Sequence, residues 1–173
     1  GLGQKGFQME CYDTRLSNFL RNQGYHTCLF GVQHEALKPS MLGYDYWLDE
    51  DCHHSEFIRR DTAASTHAAD YLLNYQEDKP FFMSVGFINT HRRYPEAPAD
   101  FVNPDYVKPP MTIPDTKENR KDMADFMYSA NIADDSVGVV LDALKRSGRE
   151  DDTIIIFPTD HGIAFPFMKC NCS

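Results

Sequence analysis

Six side chains with metal-binding, acid–base or anion-binding chemistry follow three apolar segments of this sequence. They are His34, His91, Arg92, Asp160, His161 and Lys169. An aspartate next to an imidazole supplies two ligands for a divalent cation. Guanidinium and ammonium groups suit the oxygens of a tetrahedral oxyanion. Taken singly, residues of this kind are more often structural or solvated parts of a polar turn, and only their repetition at three segment ends indicates a site.

The third of these segments carries the strongest signal. Residues 153–159 contain the β-branched and aromatic side chains typical of a strand, and Asp160, His161 and Gly162 follow directly. A glycine lets the backbone turn sharply and keeps the space before the pair open. In open α/β sheets, ligands bind beyond the carboxyl ends of the strands. The pattern therefore predicts a buried strand that ends in two metal ligands.

Amphipathic helices alternate with apolar strands along the chain. The predicted helices cover residues 13–23 with Asp13 as N-cap, 56–75 and 117–147, and the predicted strands cover 26–31, 81–88 and 153–159. Residues 35–54 look irregular, and the proline-rich residues 92–115 form a long loop. This alternation predicts an α/β fold with a parallel sheet covered on both faces. The six candidate residues should then converge, because parallel strands end at one edge.

Length and composition set further limits. The 173 residues suit one domain, although three strands are fewer than the roughly five or six of a usual sheet, so we expect strands to be missing. A formal net charge of −9 argues against a nucleic-acid partner. No apolar run reaches the roughly 18 residues that span a bilayer, so no membrane partner is expected. The five irregularly spaced cysteines do not indicate a disulfide scaffold, and Cys28 is expected to be buried.

Three blocks of the sequence resemble the sulfatase family of the alkaline-phosphatase-like superfamily. Residues 16–34 resemble the block that ends in Gly-Lys-Trp-His, and residues 80–95 resemble the block that begins with Pro-Phe-Phe. Residues 128–162 resemble the block that ends in Asp-His-Gly, and here the helix, the spacing and the strand-end ligands all agree. The sequence is most similar to the sulfamidase-like branch of the family.

The resemblance implies a fold and a domain organisation. The expected fold is an alkaline-phosphatase-like three-layer αβα sandwich with a mostly parallel sheet, incomplete at its N- and C-terminal ends. Residues 1–173 would form the central part of a single sulfatase catalytic domain. The segment with the nucleophile and a C-terminal region would be missing, in line with a first residue that is not Met.

The resemblance also implies a calcium-dependent hydrolysis of sulfuric esters or sulfamates. Asp160 and His161 match the late pair of the family's Ca²⁺ ligands, and the early pair of aspartates would precede this chain. The family's nucleophile is a formylglycine made from the cysteine of a Cys-x-Pro-x-Arg motif. No cysteine of this chain is followed two residues later by a proline. We therefore expect the intact protein to be the enzyme and this chain alone to be inactive.

The same resemblance gives roles to the remaining candidates. His91 matches a histidine that contacts the sulfate group, and His34 matches the histidine beside the nucleophile. Arg92 matches a basic residue of the substrate pocket, and Lys169 matches a lysine that binds sulfate. One departure concerns Val32, which stands where the Gly-Lys-Trp-His block has its lysine and so removes one cation from the expected pocket.

Two alternatives remain open on the sequence. A phosphate or phosphonate ester hydrolase of the same superfamily would share the Asp-His strand end but use a threonine or serine nucleophile. A truncated paralogue without activity would bind anionic glycans at most. The resemblance implies a sulfated small molecule or glycan as substrate and a secreted, periplasmic or lysosomal location, and the sequence does not indicate an oligomeric state.

Overall fold

The computed structural model describes residues 9, 11–48, 57–159, 161–166 and 168, with the main chain alone at 57–59. In chain order its helices and strands are α1 (Leu16–Asn22), β1 (His26–Gly31), β2 (Tyr46–Leu48), α2 (Phe57–Asn74), β3 (Phe81–Gly86) and α3 (Lys117–Arg146). Short 3-10 turns lie at Pro39–Leu42, Pro104–Tyr106 and Glu150–Asp152. The three predicted helices and two of the three predicted strands are confirmed.

A parallel sheet with the strand order β2-β1-β3 forms the centre of the described region. Strand β1 pairs with both neighbours, with Cys28 opposite Tyr46 on one side and Met83 on the other. Parallel strands need crossover connections, and α2 lies in the connection that leads from β2 past β1 to β3. Three helices with a parallel sheet confirm the predicted α/β class.

The core lies between the sheet and the helices α2 and α3. Its two clusters of buried residues are Cys28, Phe30 and Ala68 in one and Ala69, Leu72, Ala143 and Leu144 in the other. Met83 of β3 and Val140 of α3 pack against both clusters and join them. Helix α2 can lie close to the sheet because small alanine side chains make up much of its buried face. Among the helices that the structure describes, none is long and apolar enough to cross a membrane.

The other face of β3 carries a separate contact. Tyr44 stacks on Phe82 with 6.4 Å between ring centroids, and its hydroxyl lies 2.9 Å from the hydroxyl of Ser84. Phe82 and Ser84 alternate with Met83 along the strand, so they point away from the helical layer. The segment before β2 therefore covers the face of the sheet opposite α2 and α3.

The first helix and the predicted irregular segment differ from expectation. Helix α1 begins at Leu16 with Arg15 as its N-cap and no side-chain capping bond, so Asp13 is not the cap.

Strand β2 lies inside the segment that was predicted to be irregular. The sequence did not indicate this strand, because three residues are too few to show a periodic pattern. Asp45 fixes its start: the carboxylate accepts the Thr27 N–H at 3.0 Å, and the Asp45 N–H donates to the Thr27 carbonyl at 2.9 Å. Residues 49–56, which include the remainder of that segment, lie outside the described residues.

The prediction of a third strand at residues 153–159 is wrong. This segment has no strand assignment, and the exposed fractions of Ile154 and Phe157 are 89% and 79%. β-branched side chains favour extended backbone, but a strand also requires a neighbour that accepts its ladder hydrogen bonds. Among the described residues, no strand is paired with this segment.

A first prediction concerns the cysteines. Cys28 is fully buried, and burial, aided by the nearby Asp45 carboxylate, raises the pKa of its thiol to about 12. Because the thiolate is the reactive species, iodoacetamide at mildly alkaline pH should modify the exposed Cys11 and leave Cys28 intact in the folded protein. Peptide mass mapping measures both sites. Guanidinium chloride should make Cys28 react as well, and equal labelling of the two thiols in the native protein would contradict its burial.

A second prediction concerns two glycines. A Cβ on Gly86, at the end of β3, would lie 1.9 Å from the Val32 carbonyl oxygen, whereas a Cβ on Gly138 of α3 would meet nothing within 4 Å. Gly86→Ala should therefore lower the free energy of unfolding by roughly 1–3 kcal/mol through the forced shift of backbone. Gly138→Ala, the matched control, should raise it by roughly 0.5–1 kcal/mol. Urea unfolding measures both, and equal effects of the two substitutions would contradict the close approach at Gly86.

Candidate active site

The carboxyl ends of β1 and β3 meet at one edge of the sheet. Gly31 is paired with Gly86 in the parallel register, and the ladder continues with the Val32 N–H donating to the Gly86 carbonyl at 2.9 Å. The approach is close enough to require glycine, because a Cβ on Gly31 would lie 2.3 Å from the Gly86 oxygen, and Gly31 has a φ of +77°. His34 follows one strand and His91 the other, and both side chains are exposed. The strands that precede these two histidines therefore end at one edge of the sheet, as predicted, and the convergence of the histidines themselves stays a prediction.

His91 lies in a short turn after β3. Its N–H donates to the Ile88 carbonyl at 2.7 Å, and its ring Nδ1 contacts the Arg92 carbonyl oxygen. A carbonyl can only accept, so the neutral imidazole carries its proton on Nδ1 and its lone pair on Nε2. The turn therefore determines which nitrogen of His91 can accept a proton.

Arg92 links three segments through its guanidinium. Nε donates to the Ala164 carbonyl at 2.8 Å, and the two terminal nitrogens donate to the Asp122 carboxylate of α3 at 2.9 and 2.6 Å. The guanidinium carbon also lies 4.6 Å from the ring centroid of Tyr94 and 5.0 Å from that of the buried Phe165. Arg92 thus holds the segment that follows His161 against the loop that carries His91, as well as against α3.

His161 has a backbone partner of its own. Its Nδ1 lies 3.1 Å from the Gly162 carbonyl oxygen, which again places the proton on Nδ1 and the lone pair on Nε2. A metal-binding histidine commonly donates one ring N–H to a carbonyl in this way. The described residues contain no group of three or more potential ligands that could hold a metal ion. Asp160 and Lys169 lie outside the described residues, so their convergence with His91 stays a prediction.

The loop that carries His34 is shaped by Gln33. The side-chain oxygen of Gln33 accepts the N–H groups of Glu35 and Ala36 at 2.8 and 3.0 Å, and its amide nitrogen donates to the Ala36 carbonyl at 2.8 Å. These local bonds fold the chain back directly after β1. His34 stands at the outside of this turn, at the same sheet edge as His91.

A buried polar network beneath His91 was not anticipated from the sequence. Asp61 of α2 accepts hydrogen bonds from Ile88 and Asn89, and Ser129 of α3 donates to Asn89. Burial raises the pKa of Asp61, while its hydrogen bonds and the nearby Arg60 act in the opposite direction. A signal was present in the sequence: Asp61 falls on the apolar stripe of α2, three residues before the buried Ala64.

Comparison with known proteins agrees with the resemblance of the three blocks. The Sulfatase family model matches residues 11–166 of this chain. The chain is 26% identical to N-sulphoglucosamine sulphohydrolase of Homo sapiens, in an alignment that covers 99% of the chain and 39% of that protein. It is 23% identical to the ulvan-active sulfatase of Formosa agariphila, with 85% of the chain and 35% of that protein covered.

The chain thus spans less than two-fifths of the length of these relatives, with 39% and 35% covered. The match to the family nevertheless extends over nearly the whole chain, from residue 11 to residue 166, and it includes β1, β3, α3 and the turns that carry His34, His91 and His161. This chain belongs to the sulfatase family.

Proposed function

We propose that the whole protein containing this chain hydrolyses a sulfate ester or a sulfamate of a sulfated small molecule or glycan. Membership of the sulfatase family supports this, as do the names of the two relatives, a sulphohydrolase and a sulfatase. The structural observation that carries the proposal is the exposed His91 at the end of β3, beside the segment that Arg92 ties to its loop. The protein acts in a secreted, periplasmic or lysosomal location.

His91 is assigned to the sulfate group and its leaving oxygen or nitrogen. With the proton of the neutral ring on Nδ1, Nε2 is the atom that accepts a proton and, once protonated, donates it. Protonation of the departing alcohol or amine is the step that such a group assists. His34 approaches the same edge from β1 and is assigned a place beside the nucleophile.

Arg92 and Lys169 are assigned to binding the anionic substrate. Arg92 already donates to Asp122 and Ala164, so its charge at the site is partly balanced before substrate arrives. The paired donors that now bind Asp122 would suit the oxygens of a sulfate group that takes the place of this carboxylate. Lys169 would add a second cation a few residues beyond the Asp-His pair.

Calcium and a formylglycine are the groups that the proposal adds. Asp160 and His161 would hold the Ca²⁺ ion, with Nε2 of His161 as the coordinating atom, since Nδ1 faces the Gly162 carbonyl. Bound there, the ion would supply charge stabilisation for the sulfate oxygens. The remaining ligands and the formylglycine are assigned to parts of the whole protein outside this chain, and residues 1–173 alone are expected to be inactive.

The central prediction concerns turnover by the whole protein. It should hydrolyse para-nitrophenyl sulfate, lose this activity on chelation with EDTA and regain it with calcium. His91→Gln should lower kcat by at least about a hundredfold, the lower range for loss of a general acid–base group. His67→Gln, a histidine substitution in α2 outside the proposed site, is the matched control and should leave kcat within a few-fold.

Other outcomes of that assay would identify the alternatives. Faster turnover of para-nitrophenyl phosphate than of the sulfate would favour a phosphate ester hydrolase of the same superfamily. No turnover of either ester by the folded whole protein would favour a paralogue without activity. Turnover by residues 1–173 alone would contradict the assignment of the nucleophile to another part of the protein.

A separate prediction tests whether Arg92 binds substrate or only links segments. Arg92→Ala and Asp122→Ala break the same half-exposed ion pair, so Asp122→Ala should lower the free energy of unfolding by roughly 0.5–1 kcal/mol. Arg92→Ala should lower it by more, because it also removes the hydrogen bond to the Ala164 carbonyl and the contacts with two aromatic rings. If Arg92 binds the substrate anion, Arg92→Ala should also raise KM by about tenfold or more, while Asp122→Ala leaves KM unchanged or lowers it. Steady-state kinetics of the two variants decide this, and an equal rise in KM for both would assign Arg92 to positioning alone.

A further inference from the structure

The buried carboxylate of Asp61 is the feature of the described region that the proposed chemistry leaves without a role. Its side chain is 0% exposed, although α2 has an exposed face on which a carboxylate would remain hydrated. An ionised carboxylate is costly to remove from water unless hydrogen bonds replace the lost solvent. The partners of Asp61 therefore indicate what the burial achieves.

Within the described part of the chain, Asp61 accepts three hydrogen bonds, all from Ile88 and Asn89, two and three residues beyond the end of β3. One carboxylate oxygen accepts the Ile88 N–H at 2.7 Å. The other accepts the Asn89 N–H at 3.0 Å and the Asn89 side-chain N–H at 2.8 Å. Asp61 therefore accepts the N–H groups of two successive residues just after β3 ends, where the sheet no longer provides acceptors for them.

Asn89 extends the network to the second helix. Its side-chain oxygen accepts a hydrogen bond of 2.8 Å from the hydroxyl of Ser129 in α3, a residue that is fully buried. The amide of Asn89 thus donates to α2 and accepts from α3. The strand end is fixed between the two helices that form the core with β3.

The network reaches His91 through a single residue. Ile88 donates its N–H to Asp61, and its carbonyl accepts the N–H of His91 at 2.7 Å. A shift of the Ile88 backbone would therefore also move the turn that carries the His91 ring. We propose that Asp61 is a positioning residue that fixes the backbone of residues 88–91 and thereby orients His91 at the sheet edge. The catalytic part of this inference rests on the proposed function of His91.

Asp61→Asn in the whole protein is the substitution that tests it. Asparagine has the same size, but its NH₂ group would place a donor against the N–H of Ile88 or of Asn89. Asp70→Asn makes the same change of charge on the exposed face of α2 and is the matched control. Ser129→Ala removes only the hydrogen bond from Ser129 to Asn89. This variant can be measured in place of Asp61→Asn if Asp61→Asn does not fold.

Two measurements separate positioning from general stability. Amide hydrogen exchange should accelerate at residues 88–91 in Asp61→Asn, while the amides of Cys28 and Phe30 in β1 keep their protection. With a sulfate ester as substrate, kcat should fall by about ten- to a hundredfold with KM changed less than about threefold, because misplacement of a reacting group by even an ångström has effects of this size. Ser129→Ala should shift both readouts in the same direction by less, and Asp70→Asn should shift neither.

Other results would overturn the inference. Unchanged exchange at residues 88–91 would show that Asp61 does not fix this backbone, and equal acceleration throughout β1 would assign it a general structural role. Local acceleration with unchanged kcat would remove its link to His91. A folded wild-type protein that turns over no sulfate ester would refute the proposed function and the catalytic part of the inference, while the exchange data would still decide the structural part.

Discussion

The parallel pairing of β1 with β3 is the constraint on which the candidate site depends. Because the two strands run in the same direction and in register, Gly31 and Gly86 end them at the same level. The two glycines also permit an approach that a side chain would block. Every residue that follows either strand must therefore start from one edge of the sheet. The turns with His34 and His91 come from distant parts of the sequence, and this pairing starts both of them at the same edge of the sheet.

The elements that the sequence predicted well are those with a long or strongly apolar pattern. Helices α2 and α3 and strand β3 lie within about two residues of the predicted bounds, because many positions contribute to each pattern. Strand β2 has three residues and depends on bonds between Thr27 and Asp45, which no local pattern reveals. Residues 153–159 show the opposite error, a strand that was predicted but is not formed. Their composition favours extended backbone, but a strand also needs a neighbouring strand for its hydrogen bonds, and composition does not reveal whether one is present.

The sequence indicated the exposed residues of the candidate site, but it did not indicate the buried residues that hold them in position. Histidine and arginine after a strand can be read from a sequence, and their repetition after three apolar segments drew attention to them. Asp61 was overlooked because a single carboxylate in a helix is ordinarily a solvated residue. Its place on the apolar stripe of α2 was readable, yet its partners, Ile88 and Asn89, are known only once β3 is packed against that helix. Contacts between residues that lie far apart in the sequence become visible only in the folded structure.

The charge of Arg92 sets a condition on how the site can bind an anion. The guanidinium donates two bonds to Asp122, so a sulfate group can take those bonds only by displacing a carboxylate of like charge. The pair is partly exposed, and solvent therefore lowers the energy of such an exchange. The contacts of Arg92 with the Ala164 carbonyl and with the rings of Tyr94 and Phe165 do not involve Asp122. If Arg92 binds the substrate anion as proposed, these contacts would let it exchange Asp122 for the anion and still hold the segment after His161.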